Sequence, residues 1–308
     1  MTGFSNTNRR CKWGVTFSLT ILLAAVWGIQ VMGANQELPK AGNPNLGYRR
    51  FIFERNIPIP KPSYYSDSEW KKQSGDDRKT FWRCDYPVFT GGPASTLINR
   101  TLKKYMLTVG TNQDVPPKRP ISPESAAEAL IASYQKERRE SGRELPFQVA
   151  VKGSVLQNKP GVLSVRMDAH LFYGGAHGVD PIKLFVFNSN TGSQLKLADI
   201  FAPQFTTRLN SLINRAFRRK NGLAAGDQLD QPKGDYFGLS VKKLNYTNNF
   251  ALSNDGMIFV YNEYEIAAYA NGPTEILIPW SELHPLLKED FKAQYAAAFA
   301  LKKQVVNQ

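Results

Sequence analysis

From Leu163 to Leu171 the chain alternates without a break. Leu163, Val165, Met167, Ala169 and Leu171 are apolar or small, and Ser164, Arg166, Asp168 and His170 between them are polar. Successive side chains of a strand point to opposite faces, so this segment predicts a long strand that is buried on one side only. A strand of this kind commits the chain to a sheet with one face on a core and the other left polar.

The flanking segments supply partners for that strand. Phe147, Val149 and Val151 alternate in the same way, and Asn158-Lys159-Pro160-Gly161 reads as the turn between the two strands. Further strands are predicted over Phe81–Phe89, Ile182–Phe187 and Thr274–Ile278, with a short return strand at Gln194–Leu197 after the turn Asn190-Thr191-Gly192. Phe250-Ala251-Leu252 and Met257–Tyr261 flank Asn254-Asp255-Gly256, a hairpin signal. Helices are predicted where the period changes. Leu97, Ile98, Leu102, Tyr105 and Met106 recur at helical spacing, as do Ala127, Leu130, Ile131 and Tyr134 after the start signal Ser122-Pro123. Leu209, Leu212, Ile213, Ala216 and Phe217 give the cleanest amphipathic stripe, over Thr206–Lys220.

Hairpins with helices set apart predict an α+β fold of two small lobes, each of antiparallel hairpins packed with one or two helices. The lobes are expected at residues 80–178 and 179–308. Residues 35–79 hold Pro39, Pro44, Pro58, Pro60 and Pro62, with a polar run from Asp67 to Lys79, and read as a flexible tether. Phe51-Ile52-Phe53 within it is the one segment suited to a short edge strand.

Residues 1–34 read as a signal peptide or membrane anchor. Arg9, Arg10 and Lys12 precede a stretch free of charge from Trp13 to Gln36, closed by the small residues Gly33 and Ala34. Cleavage and retention both fit this pattern, because the uncharged run is long enough to span a bilayer. Either outcome places the remainder outside the cytoplasm, periplasmic or secreted in one case and anchored by a single span in the other. Cys11 lies in the basic flank, so Cys84 stands alone beyond the leader and stability must come from a core. The formal net charge of +13 favours anionic partners such as an acidic envelope polymer, lipid head groups or peptidoglycan carboxylates. Nucleic acid suits that charge but not the compartment.

No strong catalytic pattern is present: the chain has no H-E-x-x-H, nucleophile elbow, Walker lysine or paired C-x-x-C. Gly91-Gly92 reads as a plain turn, since Pro93 removes an amide. Asp168 and His170 share a strand face and His177 follows in the loop Gly174-Gly175-Ala176-His177-Gly178, a set that can relay a proton or contact a ligand. The loop's glycines allow positive φ and close backbone approach, with Gly175 expected to need it. The same loop also reads as a tight connection between lobes. Glu263 and Glu265 are expected to share another strand face. No metal or other cofactor is predicted.

Two segments carry a family resemblance. Tyr173–Gly178 and Tyr264-Glu265-Ile266-Ala267-Ala268-Tyr269-Ala270-Asn271-Gly272-Pro273 resemble the signature segments of the RsiV-type extracytoplasmic domain, a bacterial domain of unknown biochemical function. Leu195–Phe201, Phe250–Tyr261 and Ile276–Leu283 resemble its other elements. Asp85-Tyr86-Pro87-Val88-Phe89 with the Asn99-bearing helix resembles the companion N-terminal half, which also precedes the catalytic domain of PdaC-type peptidoglycan deacetylases. In RsiV-like proteins the domain is a receptor that binds lysozyme. The resemblance implies a stand-alone envelope domain that binds or senses a wall component or a wall-active protein. It supplies no catalytic residue. Tyr264, Glu265 and Tyr269 join Gly174, Gly175, His177, Gly178, Asp168 and His170 as candidate ligand contacts. The alternative is an envelope hydrolase acting on peptidoglycan through His177, His170 and Asp168.

Overall fold

A computed structural model of the chain describes residues 46–110, 122–227, 229 and 244–299. The leader at 1–34 and the prolines Pro116, Pro117 and Pro120 lie outside the described residues. Among the described residues no helix is long and apolar enough to cross a membrane.

The fold is α+β, as its sequence pattern predicts. Five strands, β1 (Gly47–Pro58), β2 (Lys79–Thr90), β3 (Phe147–Lys159), β4 (Val162–Tyr173) and β5 (Ile182–Asn188), form one sheet in that order. A capped turn of helix, α1 (Asp67–Lys72), joins β1 to β2, and α2 (Pro93–Thr108) and α3 (Pro123–Ser141) join β2 to β3. After β5 come the short α4 (Leu197–Ile200) and the long α5 (Thr206–Asn221). A second, antiparallel sheet follows, built from β6 (Phe250–Leu252), β7 (Gly256–Tyr261) and β8 (Thr274–Pro279), before α6 (Trp280–Leu283) and α7 (Glu289–Phe299).

The alternation of β4 decides how these parts stack. Leu163, Val165, Met167, Ala169 and Leu171 are buried with Ile98, Leu102 and Met106 of α2 and Ala127, Leu130 and Tyr134 of α3. The second sheet sits on the opposite face of the first, where Ile182 and Leu184 meet Ala251 and Val260. On its own far side the second sheet turns Leu252, Met257, Phe259, Ile276 and Ile278 toward Leu209, Ile213 and Phe217 of α5. The layers therefore run helices, sheet, sheet, helix. Two asparagines seal the joint along β5. The buried Asn249 accepts from Leu184 N–H and donates to Ile182 carbonyl, both at 2.8 Å, and Asn262 accepts from Ile182 N–H at 2.8 Å. A side-chain amide here stands in for the next strand of backbone.

Four expectations need correction. The segment expected as a tether, 35–79, holds the whole of β1, which pairs antiparallel with β2 from Gly47↔Thr90 to Pro58↔Lys79. Its charged residues, Arg49, Arg50, Glu54 and Arg55, disguise an edge strand that needs few apolar anchors; Leu46, Phe53 and Ile59 are buried. The first sheet is not built from antiparallel hairpins alone, because β2 and β3 run parallel. A parallel pair needs a crossover, and α2 with α3 provides it. The lobe border at 178/179 cuts through the first sheet, since β5 pairs with β4. Finally, Gln194–Leu197 contributes a single bridge to Phe187 before the chain turns into α4. The remaining predicted elements are present, and the five apolar positions of α5 are all buried.

Candidate functional site

The polar positions of β4 face the side of the first sheet that carries the second sheet, which covers β5 and meets the far end of β3 at Leu156 and Gln157 but leaves Ala150 and Lys152 of β3 open. The gap is an open cleft of about 460 Å³ lined by Lys152, Arg166, Asp168, His170, Asp180 and Glu275. Strand register sets its pattern of charge. Across the sheet, Asp85 of β2, Lys152 of β3 and Asp168 of β4 lie side by side.

Arg166 organises the cleft. Its Nε donates to Asp168 Oδ1 at 2.7 Å and its Nη1 to Glu275 Oε1 at 2.8 Å, which ties β4 to β8. Burial alone would lower the guanidinium pKa, but the hydrogen bonds to Glu275 and Asp168 outweigh it and raise the pKa above its ordinary value. Next along β4, His170 Nδ1 lies 2.7 Å from Asp180 Oδ1. Asp180 N–H in turn donates to Glu263 Oε2 at 3.2 Å, linking the cleft to the turn after β7. Lys152 is exposed and makes no ion pair among the described residues.

That turn and the glycine loop form the rim. His177 stacks on Tyr269, with ring centroids 3.9 Å apart and planes inclined by 18°. Its Nδ1 is 2.7 Å from the Gly178 carbonyl, and its Nε2 is 3.2 Å from the Tyr264 hydroxyl. A carbonyl only accepts, so Nδ1 carries a proton, and in the neutral ring Nε2 is the acceptor for Tyr264. Tyr264 sits at φ 64°, an uncommon conformation for a side-chain-bearing residue. The Tyr269 phenol pKa is raised by desolvation first, then by the charges of Asp180 and Glu263. The geometric link between rim and cleft is the Asp180–Glu263 hydrogen bond.

The candidate residues fall into adjoining groups. Asp168 and His170 line the cleft, while His177, Tyr264 and Tyr269 form the rim. Asp168 bonds to Arg166 and not to His170, so no relay joins Asp168, His170 and His177. Glu265 does not share a strand with Glu263. Both follow the end of β7 in a turn, where Glu265 Oε1 accepts from Asn262 at 3.4 Å. Gly174, not Gly175, needs the left-handed region, with φ 68°, and an added Cβ there would lie 3.0 Å from Arg143 Cδ. Gly175 has room for a Cβ, whose nearest neighbour would be the His177 carbonyl oxygen at 3.9 Å. Gly178 is packed instead, since a Cβ would meet His170 Cε1 at 2.9 Å and the Leu171 carbonyl at 3.0 Å.

Sequence reasoning missed Lys152, Asp180 and Glu275 as cleft residues. Lys152 was accessible in principle, because it sits on the opposite face of β3 from Val149 and Val151. Asp180 and Glu275 are far apart in sequence, and no local periodicity joins them. Among the described residues, no group of three or more His, Cys, Asp or Glu is placed to hold a metal ion.

Comparison with known proteins gives two family matches along the chain. Residues 74–180 match the family described as deacetylase PdaC, and residues 198–281 match the protein family of unknown function DUF3298. The chain therefore carries a PdaC-type segment followed by a DUF3298 segment. It is 24% identical over 170 residues to the peptidoglycan-N-acetylmuramic acid deacetylase PdaC of Bacillus subtilis (strain 168), a match covering 54% of this chain and 35% of that protein. The chain thus spans about a third of the length of that relative. Two crystal structures of DUF3298 family proteins share the fold. One, from Bacteroides fragilis, has a TM-score of 0.59 at 17% identity, covering 85% of this chain and 100% of its own. The other, from Pseudomonas aeruginosa, has a TM-score of 0.52 at 19% identity, covering 80% and 96%.

Proposed function

We propose that this protein is an exported cell-envelope binding module whose cleft captures a peptidoglycan-type glycopeptide. The observation that carries this reading is the alternation of cations and carboxylates in the cleft beside an aromatic rim. Peptidoglycan joins sugars to peptides bearing both carboxylates and amines. Lys152 suits a peptide carboxylate, Asp180 and Glu275 suit an amine, and the His177–Tyr269 stack offers an apolar ring face to a sugar. Similarity over about half the chain to a protein named for peptidoglycan deacetylation supports the substrate class. The charge-free stretch after Arg9 and Arg10 supports export. Binding is favoured over catalysis because Asp168 bonds to Arg166 and so assembles no relay with His170 and His177.

Calorimetric titration of soluble glycopeptides released from peptidoglycan tests this reading. Lys152→Ala should weaken binding about tenfold, the value of one charge-assisted contact. Arg166→Met should abolish it, since Asp168 and Glu275 then repel each other across the cleft. Affinity should also fall as salt rises. Wild-type protein that ignores these glycopeptides, or variants that bind them unchanged, would sink the reading.

One observation favours a second reading. A carboxylate on His170 Nδ1 orients the ring and leaves Nε2 as a general base, so a hydrolase would use the His170–Asp180 pair rather than His177, His170 and Asp168. Release of soluble product from peptidoglycan, lost in His170→Ala but kept in Lys152→Ala, would establish it.

A further inference from the structure

A second concave site lies away from the cleft, between α5 and the C-terminal turns. Its volume is about 410 Å³, and it shares no lining residue with the cleft. Arg208, Ser211, Arg215 and Arg219 recur at near-helical spacing along one side of α5, facing Ser281 and Glu282. Three guanidiniums and one carboxylate leave two positive charges in excess. Two hydroxyls supply further donors.

An amphipathic helix ordinarily carries charge on its solvated face, and cations at its C-terminal end are favoured by the helix dipole. That explains Arg218, Arg219 and Lys220 in the last turn. It does not explain Arg208, which lies in the first turn, where the dipole opposes a cation and no acidic residue is present. Nor does it explain the pairing of Glu282, which is only 25% exposed and holds two guanidiniums at once, Arg219 at 3.0 Å and Arg215 at 3.5 Å. One carboxylate thus fixes two forks in place while leaving each half-exposed, and Arg208, without an ion pair among the described residues, completes a three-sided positive pocket. The positive end of α5 adds to the field at Arg208.

We infer that this pocket binds a phosphate ester. The planar guanidiniums of Arg215 and Arg219, oriented by Glu282, match the tetrahedral oxygens of phosphate with paired hydrogen bonds, and the two excess positive charges of the pocket match a phosphate monoester or two successive diester groups. The group can belong to a soluble glycerol phosphate polymer or to a phospholipid head group, and the assay separates these sources.

The test uses the full chain. Glycerol phosphate is titrated by NMR, and in parallel the protein is sedimented with phosphatidylglycerol vesicles, with phosphatidylcholine vesicles as the neutral control, or retained on immobilised glycerol phosphate polymer. The variant R208Q/R215Q should weaken glycerol phosphate binding about tenfold or more. R138Q/R139Q, which removes the same charge from α3, should change it less than about twofold. Melting temperatures of both should match wild type, since all four side chains are exposed. Polymer retention without vesicle binding identifies a soluble source, and the reverse identifies a lipid. Equal losses in the two double variants would reduce the effect to net charge and overturn the site. Absence of glycerol phosphate, polymer and vesicle binding in the wild type would overturn it as well.

Discussion

The two faces of β4 are made from neighbouring residues, yet they do different work. Toward α2 and α3 the strand offers Leu163, Val165 and Met167, each fully buried in a continuous core. Toward the cleft it offers Arg166, Asp168 and His170, which remain partly exposed and are held by ion pairs from Arg166 and a hydrogen bond from His170 to Asp180. The first face is insensitive to which hydrophobe sits where, provided volume is kept. The second depends on individual atoms. Stability should therefore be read on the helix face and recognition on the cleft face, and substitutions on each can break that division.

The largest effect is expected at Cys84, on the helix face of β2. Cys84 is 2% exposed, and burial pushes its thiol pKa up to about 12. A raised pKa keeps the thiol neutral, so thiolate chemistry near pH 8 should be suppressed about a thousandfold relative to an open cysteine. In a Cys11→Ser background, a disulfide reagent should label the denatured chain at once and the native chain only as fast as it opens. Rapid native labelling would show that this face is not closed.

Met167→Ala on the same face should cost roughly 2–5 kcal/mol in denaturant unfolding, because the lost side chain leaves a cavity. Glycopeptide affinity, extrapolated to fully folded protein, should stay constant. A change in affinity would couple the two faces.

The glycine loop sharpens the comparison at its junction. Gly174→Val should lose ~1–3 kcal/mol, since a β-branched residue is strained at φ 68°. Gly175→Val should stay within about 0.5 kcal/mol of wild type, since Gly175 is not in the left-handed region and a Cβ there makes only ordinary contact with the His177 carbonyl. Equal losses at the two positions would mean that the loop is rigid throughout.

The smallest stability effect is expected for His177→Ala, within about 0.5 kcal/mol, because the ring lies on the surface. Glycopeptide capture should weaken clearly. A large drop in melting temperature would instead make the His177–Tyr264–Tyr269 stack part of the scaffold.

What was legible in the sequence follows the same division. The helix face of β4, the stripe of α5 and the hairpin around Asp255 were readable because each is a local period imposed by a single core. β1 was not, since an edge strand buries little and its charged positions imitate a tether. Neither was the parallel pairing of β2 with β3, because register between distant strands leaves no periodic trace. In the site, Asp168 and His170 could be found from alternation, and Tyr264 and Tyr269 only from the family resemblance. Asp180 and Glu275 reach the cleft through tertiary folding, and the left-handed turn at Tyr264 reads as a strand continuing past Tyr261. Gly174 and Gly175 are indistinguishable in sequence; only the packing of Arg143, which donates to the Tyr173 and Gly174 carbonyls at 3.1 and 2.8 Å, separates them.

The asparagine joint along β5 bears on how this chain can be inherited and dissected. The PdaC-type match ends at residue 180 and the DUF3298 match begins at 198, so β5 falls in the interval between them. That strand completes the first sheet through β4 and is held from the other side by Asn249 and Asn262. Cutting the chain between the two matches would uncover the edge of β4 or strand the buried amide of Asn249 and the half-buried one of Asn262, whichever side kept β5. The two segments therefore share one strand, and a recombination event that moved one without the other should deliver a sheet with an open seam.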